Sequence, residues 1–146
     1  MFTFNPGDLK KIEAVLEGRF RTEDHCHRMV LQNVEENRKL SFEIYSDVPI
    51  GKNRGSLISV YTSAAHLQLH FCSGYVVSEM LGEVTFVSRH DGKLSGLIIE
   101  KGAACSLFAG VDTELLSGDF TQLGPEVMLS GVALSLTENL IPKSGA

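Results

Sequence analysis

The sequence predicts a mainly antiparallel β domain, a β-barrel or β-sandwich of about 8–10 strands with one short N-terminal α-helix. Three observations carry this expectation. Apolar residues recur at helical spacing only before Gly18; beyond it the period falls to near 2 and stays there for most of the chain. Connections between the apolar runs are short, and long strand–helix–strand units are missing, which argues against doubly wound or TIM-type parallel sheets. Consecutive hairpins give an up-and-down order naturally, so a barrel is the first choice of the two architectures.

The helix is expected over about residues 5–17. Asn5 can cap the free amides and Pro6 then occupies the first helical position, where its missing N–H is harmless. Leu9, Ile12, Val15 and Leu16 form an apolar stripe, with Lys10, Lys11, Glu13 and Glu17 on the other side. Gly18 is the expected stop. The β domain should then run over about residues 20–137, followed by a frayed tail at 138–146, all within one domain.

Leu40, Phe42 and Ile44 alternate with Ser41, Glu43 and Tyr45, so 26–33 and 40–46 should pair as a hairpin across a polar turn at 35–38. Strands follow at 57–62, 67–72 and 75–80. Residues 83–90 and 94–101 should form a hairpin through Asp91-Gly92, a dipeptide suited to a tight turn. A further strand is expected at 105–109, a loop at 112–125 and a last strand at 126–136.

Composition limits the function. With 43% apolar and 21% charged residues the chain can build a core. Its net charge of −5 repels phosphate backbones and anionic headgroups, so neither nucleic acid nor membrane is an expected partner. Charged residues interrupt the N-terminal segment, and no apolar run of transmembrane length occurs. Cys26, Cys72 and Cys105 lack a Cys-x-x-Cys pair, so free thiols in a reducing cytoplasm are expected.

Two constellations qualify as candidate sites. His25 and His27 lie two apart on an expected strand and could present two imidazoles together, while His66 and His70 share a face roughly 13 Å apart. A zinc site would need His25, His27 and a third ligand from His66, His70 or a carboxylate. Lys52 and Arg54 lie in a glycine-bracketed basic loop, 51–56, that could receive a phosphate or carboxylate. It lacks the P-loop pattern, and no Gly-x-Ser-x-Gly elbow or EF-hand order occurs.

Runs such as Val76-Val77 and Leu97-Ile98-Ile99 imply strands covered on both faces, by the helix, a ligand or a second copy, so a homodimer is expected. The function expected is a non-enzymatic, self-associating β module for a small ligand or protein, with no cofactor. The alternative is a metal-dependent enzyme built on the histidines.

Overall fold

A computed structural model describes residues 3–63, 65–90 and 93–112. One helix, α1 (Pro6–Leu16), precedes β1 (Arg21–Glu23), β2 (Cys26–Asn33), β3 (Arg38–Ile50), β4 (Asn53–Thr62) and β5 (His66–His70). β6 (Gly74–Ser78), β7 (Glu83–His90), β8 (Lys93–Glu100) and β9 (Cys105–Asp112) follow. The Asp91-Gly92 turn, the 113–125 part of the expected loop, the strand expected at 126–136 and the tail lie outside the described residues.

The mainly antiparallel β class with one short helix is what forms. Among the described residues the strands make two sheets, ordered β1-β2-β3-β4-β5 and β6-β7-β8-β9, and no closed barrel is present. The chain leaves the first sheet at Phe71, a non-glycine residue at φ 57°. The Phe71 N–H still donates to the Ser56 carbonyl at 2.8 Å, whereas the Ser73 N–H donates to Val87 in the second sheet at 2.7 Å. This corner ends one meander and starts the next, so the described strands lie in two separate sheets.

The expected hairpin forms, with Leu31 opposite Leu40 and Met29 opposite Phe42. β3 and β4 run further than expected. Beyond an irregularity between Tyr45 and Val48 they pair again, Val48 with Gly55 and Ile50 with Asn53. The basic segment 51–56 is therefore mostly strand, and only Gly51-Lys52 makes the turn. β1 is an addition, since its three residues are exposed and carry no apolar alternation.

The inward faces of both sheets close one core. Phe42, Ile44, Ile58 and Val60 of the first sheet meet Val84, Phe86, Leu97 and Ile99 of the second, and Ile12, Val15 and Leu16 of α1 join them. Leu97, Ile98 and Ile99 are 0%, 2% and 0% exposed within a single chain. Both faces of β8 are thus covered, and the expected need for a second copy does not follow from that run. Cys26, Cys72 and Cys105 are all free thiols. No helix among the described residues is long and apolar enough to cross a membrane.

α1 begins with a reciprocal cap. The Asp8 N–H donates to Asn5 Oδ1 at 2.8 Å, and the Asn5 N–H donates to Asp8 Oδ2 at 2.9 Å. The helix ends at Leu16 because Glu17 takes the left-handed conformation, φ 56°. Gly18 is not the stop that its position predicts. A Cβ there would lie 2.7 Å from Met29 Sδ, so glycine lets the chain pass tightly over β2.

Asp8 also fastens the helix to the second sheet, accepting a 2.6 Å hydrogen bond from the Tyr75 hydroxyl. That bond, followed by the Asn5 amide, lowers the Asp8 pKa below its ordinary value of 3.8. The stability it contributes is fully present above the ordinary aspartate range and is lost as pH falls through the lowered value. Tyr75→Phe should therefore reduce the urea midpoint at about pH 7, with the deficit narrowing toward about pH 2. An equal deficit at both pH values would show that Asp8 is not the partner that matters.

Candidate functional site

The segment between α1 and β2 sets out the site. The Phe20 N–H donates to Glu13 Oε2 at 2.8 Å, which ties residue 20 back to the helix. Its ring packs edge-on against Phe42, with centroids 5.7 Å apart, and so turns toward the core. Successive residues of an extended chain point to opposite sides, so Arg19 and Arg21, flanking Phe20, turn outward.

β1 pairs with β2 so that Arg21 lies opposite Arg28 and Glu23 opposite Cys26. β2 pairs with β3 so that Arg28 lies opposite Glu43 and Cys26 opposite Tyr45. The outward face thereby acquires a groove of about 560 Å³ between Arg19 and Arg21 on one wall and Glu43 on the other, with Cys26, Arg28 and Val30 as its floor. Ligand sites commonly span roughly 300–1,000 Å³.

The charges in this groove are not mutually neutralised. Arg21 and Arg28 are like charges directly opposite one another, an arrangement that opposes pairing of the strands. Among the described residues, none of Arg19, Arg21 and Arg28 has a carboxylate within 4.0 Å. Glu43, although opposite Arg28, accepts instead from Cys26 Sγ at 3.7 Å. Burial pushes the Cys26 thiol pKa up and Glu43 adds to the effect, with opposing contributions from Tyr45 and Arg28. Burial, then hydrogen bonds and charge from Cys26 and Glu43, raises the Tyr45 phenol as well.

The residues singled out by spacing lie elsewhere. His25 is exposed in the turn before β2 and is not on the strand. His27 faces the core side, with Nδ1 2.8 Å from Thr22 Oγ1 and its ring edge-on to Phe20; partial burial lowers its pKa. His66 and His70 share the outward face of β5, as their spacing predicts. β5 forms the opposite edge of the sheet from β1, with β3 and β4 between it and β2. His66 Nε2 lies 2.8 Å from Ser59 Oγ and its ring stacks on Tyr61 at 4.4 Å, while His70 Nε2 lies 3.1 Å from Gln68 Oε1. Among the described residues no three His, Cys, Asp or Glu side chains form a group that could hold a metal ion.

Lys52 is exposed in its turn. Arg54 is committed to Asp47, with Nε 3.1 Å from Oδ1 and Nη2 donating to the backbone carbonyl at 3.2 Å. Neither residue reaches the groove lining. The arginine groove was missed because it depends on β1; the available signal was Arg19-Phe20-Arg21, two cations around one core aromatic.

Fold and groove together define an antiparallel two-sheet β protein with an arginine-lined groove on the outward face of its five-stranded sheet. No protein-family model, curated protein or solved structure matches the chain.

Proposed function

We propose that the chain is a non-enzymatic binding module that holds an anionic small molecule between Arg19, Arg21 and Arg28. The observation that carries this reading is three neighbouring guanidiniums without a carboxylate partner among the described residues, in a chain of net charge −5. A planar guanidinium fork matches carboxylate and phosphate oxygens, and an anion bridging Arg21 and Arg28 would relieve their repulsion. The groove offers less to covalent chemistry. Its one thiol has a raised pKa and is protonated at neutral pH, and no imidazole lines the groove, since His27 of β2 turns to the core side against Phe20.

Titration with inorganic phosphate, and separately with citrate, tests this reading by thermal unfolding. The Tm of the wild type should rise with concentration, because a ligand that binds only the folded state stabilises it. An Arg21→Ala, Arg28→Ala variant should lose this response. Its stability without ligand should match the wild type or exceed it by a few tenths of a kcal/mol, because a like-charge pair has gone. A wild type indifferent to both anions, or a variant that responds equally, would end the proposal.

A further inference from the structure

The groove is charged unevenly along its length, and this narrows the kind of ligand it fits. Arg28 and Glu43 are direct cross-strand partners, the position in which opposite charges ordinarily meet. They form no ion pair among the described residues. The Glu43 carboxylate takes the Cys26 thiol instead, one outward-facing step along β2 from Arg28. Glu23 stands at that same level on β1, opposite Cys26. By register, therefore, Arg21 and Arg28 stem from one level of the groove, while Glu23 and the carboxylate of Glu43 lie at the level of Cys26. Two residues along a strand separate those levels by about 6.6 Å.

We propose, building on the anion reading above, that the ligand is bipolar: an anionic head between the arginines and a cationic group about 6.6 Å away beside Glu23 and Glu43. An ω-amino carboxylate of about six carbons has this span, and the same grouping occurs in a basic amino acid. A plain anion would leave both carboxylates without a cationic partner near its tail, and a plain cation would face three guanidiniums. The bipolar ligand meets both ends, with its methylenes lying along the aliphatic stem of Arg28.

The test is calorimetric titration of the full chain with 6-aminohexanoate, hexanoate and hexylamine at matched ionic strength. The wild type should bind 6-aminohexanoate about three- to fivefold more tightly than hexanoate, the range expected for exposed ion pairs, and should not bind hexylamine. Glu43→Gln should remove that preference while hexanoate binds at least as tightly as to the wild type, because a carboxylate opposite Arg28 has gone; Glu23→Gln, which leaves the Cys26–Glu43 hydrogen bond in place, serves as a second variant. Circular dichroism establishes that each variant is folded. Equal affinity for the two carboxylates, or a preference that survives both glutamine variants, overturns the bipolar ligand while the anion site stands. Binding of neither carboxylate, with no response to phosphate or citrate, removes both.

Discussion

Phe42→Ala is expected to destabilise the protein by about 3–5 kcal/mol, the usual cost of removing a buried aromatic ring. Phe42 is fully buried and lies in a run of rings that spans the core. Its centroid is 5.7 Å from that of Phe20 and 6.1 Å from that of Phe86, and Phe86 is in turn 6.0 Å from Phe4. Losing the ring leaves a cavity between the two sheets and removes the support under Phe20.

The same change should reach the groove. β1 is three residues long and, among the described residues, pairs only with β2, so packing of Phe20 on Phe42 contributes much of what fixes Arg19 and Arg21. In Phe42→Ala the folded fraction should therefore bind phosphate more weakly than in Phe42→Leu, which keeps most of the volume. Urea denaturation gives the stability, and titration at about 10 °C, near maximum stability, gives the affinity. A stability loss below about 1 kcal/mol would show that the ring is not central to the core.

Local alternation made most of this fold legible. Leu40, Phe42 and Ile44 are buried and their neighbours are not, so period 2 alone located β3 and its partner β2. β1 was illegible because a strand of three exposed residues has no pattern of its own; pairing with β2 and anchoring of Phe20 create it. The break between the two described sheets turned on Phe71, where a bulky residue adopts the left-handed conformation that local preference disfavours. The histidine pair failed as a shared-face pair for a similar reason. Asp24, at φ 52°, sits in the turn with His25 and leaves only His27 on β2. The arginine groove needed the register of three strands, and register is a long-range property.

The second sheet allows a change whose effect stays away from the groove. Gly96 of β8 lies opposite Phe108 of β9, next to a register shift between Leu94 and Gly96. A Cβ at position 96 would stand 2.4 Å from both Cε1 and Cζ of the Phe108 ring. That ring is 0% exposed, so it has no solvent to swing into. The glycine is there because an aromatic side chain lies across its backbone, a close approach that glycine permits in a strand. Gly96→Ala should cost about 1–3 kcal/mol, the range for forcing volume into a filled space. In a Phe108→Leu background the alanine should cost less, so the two changes should be non-additive. Because Gly96 and the groove belong to different sheets, phosphate affinity of the folded Gly96→Ala protein should equal that of the wild type, unlike Phe42→Ala. Additive costs in the cycle would show that Phe108 is not the obstacle, and a weakened groove would show that the two sheets are coupled more tightly than their separate hydrogen bonding implies.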